Sequence, residues 1–206
     1  MKLVLPFLLS SLLLSALAAA AASDAVLDTD GNALKRGTEY YILLSPGKQS
    51  GLTLASRNGE CPLDVAKARS EDDNVLPIRF YPADEGEDTV RLSKDANFQF
   101  LAYTTCMMST MWQIRFHEAA NRYYVSTGGV PGNPGKDTLS NWFTIREAED
   151  GSNSYKLTYC PTVCNFCRPY CGDLGLFVED GRKWLGIRGP PLSVVFKKAP
   201  EETVSV

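Results

Sequence analysis

The stretch TEYYILL, residues 38–44, holds a short apolar triplet, Tyr41-Ile-Leu43, and triplets like it recur along the chain. Phe98-Gln-Phe100 and Tyr155-Lys-Leu157 follow it at spacings of 57 and 57 residues. A second set, Leu52-Thr-Leu54, Trp112-Gln-Ile114 and Leu174-Gly-Leu176, is spaced by 60 and 62. A third, Ile78-Arg-Phe80, Phe143-Thr-Ile145 and Val194-Val-Phe196, is spaced by 65 and 51. One set alone means little in a β protein. Three sets in the same order indicate three copies of one unit.

A further strand per unit is expected near Val65, Tyr123-Tyr-Val125 and Trp184-Leu185. Gly, Pro, Asn and Asp interrupt the apolar runs at roughly 8–15-residue intervals, the rhythm of an all-β sandwich or barrel. The period is too long for a usual solenoid. Closing the units on one another leaves no long exposed edge. The expected fold is therefore all-β: a β-trefoil of twelve strands in three pseudo-repeats, a closed barrel with a hairpin cap. Pro62–Arg69, PLDVAKAR, reads as one helical turn.

Residues 1–22, MKLVLPFLLSSLLLSALAAAAA, are expected to be a secretory signal peptide, with Ala20 and Ala22 at the −3 and −1 places of a cut. The competing reading is a membrane anchor, but the apolar core of about 15 residues is short for the roughly 20 that span a bilayer. Residues 23–206 then form one domain, with a short disordered tail from about residue 199. The expected location is secreted, either extracellular or vacuolar.

The formal charge is −3, and there is no basic block. That excludes an electrostatic footprint for nucleic acid and gives no attraction to anionic membranes. Neither partner is expected, and a monomer is.

The cysteines are Cys61, Cys106, Cys160, Cys164, Cys167 and Cys171. An even count behind a signal peptide points to disulfides, and six cysteines allow about 15 pairings. The final four, C-x3-C-x2-C-x3-C, also admit a zinc site, and Cys164-Asn-Phe-Cys167 a redox CxxC. An oxidising compartment disfavours the first, and no strand–helix context supports the second.

Asp28-Thr-Asp-Gly31 suggests an aspartic protease turn or the start of an EF-hand. The first lacks its second Asp-Thr/Ser-Gly turn, and in the second the glycine comes too early. A tight turn is the plainer reading. His117 is the only histidine. No G-x-S-x-G elbow, H-E-x-x-H or phosphate loop occurs. Gly128–Gly135 reads as a loop and His117 as a strand-end residue. No enzyme, cofactor or metal is expected.

VLDTDGNALKRGTEYYI, residues 26–42, resembles the N-terminal signature of the plant Kunitz-type (soybean trypsin inhibitor-like) protease inhibitors. Val26, Asp28, Gly31, Leu34, Tyr40 and Ile42 fill its specified places. Asn141-Trp-Phe143 and Ser154-Tyr-Lys-Leu157 match later strands, and CPTVCNFCRPYC resembles the miraculin-like branch. The resemblance implies a β-trefoil, and the pairings Cys61–Cys106, Cys160–Cys171 and Cys164–Cys167.

It also implies an endopeptidase partner, in the first instance a serine protease, gripped by an exposed loop at about Asn74, Val75, Leu76, Pro77, Ile78 and Arg79. P1, counted without gaps, is Pro77, which is neither basic nor aromatic. Leu76 would suit an apolar pocket and Arg79 a trypsin-like one. Arg36 matches the family's loop-bracing asparagine, with Asp72 or Asp73 as expected salt-bridge partners. The alternatives are a storage, defence or recognition protein on the same fold, or an inhibitor of cysteine or aspartic proteases or of an amylase through another face.

Overall fold

A computed structural model describes residues 24–45, 47, 50–69, 74–149 and 154–200. The expected signal peptide and residues 201–206 lie outside the described residues. The chain is still bonded at Ala199, which is buried and donates its N–H to Glu39 O at 2.9 Å.

Twelve strands follow one another: β1 (Tyr40–Ser45), β2 (Leu52–Ala55), β3 (Asp64–Lys67), β4 (Pro77–Pro82), β5 (Ala96–Phe100), β6 (Gln113–His117), β7 (Arg122–Ser126), β8 (Thr144–Glu147), β9 (Tyr155–Tyr159), β10 (Gly172–Glu179), β11 (Arg182–Ile187) and β12 (Ser193–Lys198). Two short 3₁₀ turns, Glu118–Ala120 and Lys136–Asn141, interrupt them. Each unit supplies four strands, and each set of triplets meets the expected strand. Lys136–Asn141 begins one residue after the glycine-rich stretch.

The first and fourth strands of the units build the barrel. Antiparallel pairing runs β5–β4–β1–β12–β9–β8. No ladder joins β5 to β8. One bridge does, with Ala96 N to Phe143 O at 2.9 Å and Phe143 N to Ala96 O at 3.0 Å. The middle strands form three hairpins, β2–β3, β6–β7 and β10–β11. Their second strands pair with one another through Asp64↔Ser126, Ala66↔Trp184 and Tyr124↔Gly186. This triangle is the cap. The β10–β11 turn is Asp180-Gly181, both at positive φ (49° and 71°), as a two-residue hairpin loop requires.

One expectation is corrected. The Pro62–Arg69 segment is not helical: Asp64–Lys67 is β3, held in register by Leu52–Ala55. In the first unit the inward-facing residues are Tyr40 and Ile42, at 2% and 0% exposure, while Tyr41 and Leu43 are half-buried. A period-2 strand changes face with a one-residue slip, and the run Tyr-Tyr-Ile-Leu-Leu gives no polar residue to set the phase.

The core is aromatic. Trp112 meets Phe98, Phe100 and Phe143 at centroid distances of 5.3, 5.4 and 5.7 Å. The N-terminal signature is structural. Val26 and Leu34 are fully buried. Asp28 Oδ1 accepts from Asp30 N and Asn32 N, both at 2.9 Å, and Gly31 sits at φ +82°. This is the Asx-type turn that the Asp and Gly suggested. The Tyr40 hydroxyl accepts from Lys35 N at 3.0 Å, fastening that turn region to β1.

Candidate functional site

The segment leading into β4 returns along β2. Asn74 O accepts from Thr53 Oγ1 at 2.9 Å. Leu76 N donates to Leu52 O at 3.1 Å, and Pro77 O accepts from Leu101 N at 2.8 Å. Three backbone groups of the segment are thus tied down, two to β2 and one to Leu101 just after β5. Pro77 already lies in β4, opposite Tyr41, one residue earlier than the expected strand start. A proline is tolerated there because its fixed φ suits extended chain and its position needs no N–H donor.

Burial corrects the picture of an exposed loop over residues 74–79. Asn74 alone is exposed. Val75, Leu76 and Pro77 are half-buried, and Leu76 packs against the core cluster. Ile78 is fully buried. Val75 sits over Gly51, where an added Cβ would lie 2.5 Å from Val75 Cγ1 and 2.5 Å from Ile42 O. Gly51→Ala therefore forces either Val75 or the β1 backbone to move. It is expected to cost about 1–3 kcal/mol in urea unfolding, and to weaken any inhibition that the segment carries.

Arg79 is inside the sheet, opposite Gln99 in β5. Its Nη2 pairs with Glu39 Oε1 at 2.6 Å. The Glu39 hydrogen bond outweighs burial and holds the guanidinium above its ordinary range. Arg36 does not brace the segment. Its Nε donates to Glu87 O at 3.1 Å, and its Nη2 to Pro82 O at 3.0 Å and Asp84 O at 2.6 Å. The guanidinium braces the 82–87 turn instead. Asp72 and Asp73, its expected partners, lie outside the described residues.

All six cysteines are paired, as Cys61–Cys106, Cys160–Cys171 and Cys164–Cys167. That leaves no thiolate for zinc or for a reduced CxxC. His117 ends β6, as a strand-end residue.

Residues 26–198 match the family model for trypsin and protease inhibitors of the legume Kunitz type. The chain belongs to this Kunitz inhibitor family. Its members are protease inhibitors, not enzymes. Miraculin from Synsepalum dulcificum is 41% identical over 190 residues, covering 88% of this chain and 86% of that protein. Kunitz trypsin inhibitor 5 from Arabidopsis thaliana is 39% identical over 182 residues, covering 87% and 88%. A solved Kunitz-type cysteine protease inhibitor from potato superposes with a TM-score of 0.74 at 32% identity, covering 86% of this chain and 98% of that one. The twelve-strand arrangement is thus the β-trefoil of Kunitz inhibitors.

Sequence reasoning did not find Gly51, Thr53 and Glu39, which hold the segment in place. They act across long sequence separations, and a single sequence carries no signal for such pairs.

Proposed function

We propose that this Kunitz family member inhibits serine endopeptidases of apolar specificity, with the Asn74–Arg79 segment anchored by Ile78 and Arg79 in β4 and presenting Leu76 to the protease cleft as P1. The observation that carries this is the tethering of the segment at Asn74, Leu76 and Pro77. A segment ordered before binding loses little conformational entropy on binding. Pro77 keeps Leu76 extended and, as P1′, makes the bond hard to cut. Leu76 is only half-buried, so rotating it outward exchanges one apolar contact for another and forfeits little burial.

Trypsin is a poor target on this reading. Arg79 is the only cation among residues 74–79. It lies between buried Ile78 and Phe80 and is paired with Glu39. Serving it to a cleft means unzipping β4. The three disulfides support a secretory destination, extracellular or vacuolar, and the protein acts as a monomer.

Titration against chymotrypsin, subtilisin, trypsin and papain tests the proposal. Chymotrypsin or subtilisin should be inhibited at micromolar protein, with trypsin and papain unaffected. Trypsin inhibited in preference to both would overturn the specificity. No inhibition at all would move the reading to storage or recognition. A second reading, inhibition of a cysteine protease through another face, draws on the potato structure, and inhibition of papain alone would establish it.

A further inference from the structure

The Asn74–Arg79 segment is too small to make a complex by itself. A standard protease–inhibitor interface covers about 800 Å² on each partner, or roughly 20–30 residues. Of the residues from Asn74 to Arg79, only Asn74 is exposed. Neighbouring surface has to supply the rest of the contact.

The connection between β5 and β6 stands beside the segment. Leu101 N donates to Pro77 O at 2.8 Å, one residue beyond the Ile78↔Phe100 pair of the β4–β5 ladder. The two chains therefore leave the sheet side by side, one toward Leu76 and the other toward Tyr103. The foot of the connection is closed. Phe100 N donates to Thr110 O at 3.3 Å, and Thr110 Oγ1 to Phe100 O at 2.5 Å. Above that foot, Cys106 is pinned to Cys61 by a disulfide.

This closed loop holds the two most exposed large apolar side chains among the described residues. Tyr103 is fully exposed and Met107 is 95% exposed, with Met108 exposed as well. Met107 stands at φ +49°, a left-handed conformation uncommon for a residue with a side chain. Leu101–Ser109 contains no acidic or basic residue and no histidine. Tyrosine and methionine without charge is the composition of an interface centre rather than of a solvated loop. Large apolar side chains gathered in water mark a docking surface.

We propose that Tyr103, Met107 and Met108 form a second contact with the same serine protease that takes Leu76, against an apolar, uncharged part of the rim of its cleft. The inference rests on the reading of Leu76 as P1. It accounts for the area that the segment lacks. The disulfide and the Phe100–Thr110 bonds order the loop in the free protein, so little entropy is lost when the protease covers it.

Inhibition constants should be measured for the full protein against chymotrypsin or subtilisin, whichever it inhibits more tightly. Tyr103→Ala should weaken inhibition at least about tenfold and Met107→Ala at least about threefold, chiefly through faster dissociation. Both side chains are exposed, so urea unfolding of the two variants should match that of the unaltered protein. Loss of inhibition on Leu76→Ala, with Tyr103→Ala and Met107→Ala both within about twofold, would overturn this inference alone. So would a complex holding two protease molecules at once, which would make the loop a separate head. No inhibition by the unaltered protein would overturn it together with the reading of Leu76.

Discussion

Arg57→Ala is expected to destabilise the protein by about 3–5 kcal/mol, the usual consequence of removing one member of a buried ion-pair network. Arg57 stands in the β2–β3 connection, yet it bonds Asp64 in β3 and Glu179 in β10. Its flat faces cover Tyr124 of β7 and Trp184 of β11. One side chain thus touches all three hairpins of the cap. Alanine would leave two carboxylates short of their partner and remove the filling between two rings. Arg57→Lys keeps the charge but loses the planar fork, so its loss should be intermediate. Urea unfolding at neutral pH measures both, and a loss below about 1 kcal/mol for Arg57→Ala would show that the cap does not depend on this contact.

The same cluster sets an acid dependence. Burial raises the Glu179 carboxyl, but the Tyr124 hydroxyl and Arg57 outweigh it and hold the group below the usual carboxylate range. A folded value below the unfolded one adds stability that is full above the unfolded value. That stability is lost as pH falls through the folded value. Arg57→Ala should flatten this part of the acid unfolding profile.

Trp112→Ala should cost a similar about 3–5 kcal/mol, through the cavity it leaves. Trp112 is fully buried and lies just before β6, between Phe98 and Phe100 of β5 and Phe143 beside β8. These are the strands joined by a single bridge at Ala96 and Phe143. Ring packing therefore supplies cohesion at a seam held by a single bridge. Trp112 Nε1 has no partner. Trp112→Phe removes that orphan donor along with some volume, so its loss should be smaller, about 1–2 kcal/mol. Equal losses for the two variants in urea unfolding would contradict this account.

The barrel was legible in the sequence because each strand carries its own apolar pattern, and three weak copies reinforce one another. In β1, where five apolar or aromatic residues run together, the pattern carries no phase and only the structure shows that Tyr40 and Ile42 face inward. The strand expected near Val65 is β3, and the helical turn read over Pro62–Arg69 fails because Asp64–Lys67 is held extended by pairing with Leu52–Ala55. The candidate segment was found by its position before Ile78-Arg-Phe80. Its burial was not, because the packing of Val75 and Leu76 depends on Gly51 and Leu52. Arg36, matched to the loop-bracing place, instead bonds the carbonyls of Pro82, Asp84 and Glu87, partners that the match does not reveal.

The central claim is that a protease meets Leu76 and not Arg79. The most direct test compares the chymotrypsin inhibition constants of the unaltered protein, Leu76→Ala and Arg79→Ala. Leu76→Ala should weaken inhibition at least about thirtyfold, a hot-spot loss of about 2 kcal/mol, while Arg79→Ala stays within about threefold. The reverse ranking would contradict the account and place the specificity residue inside β4.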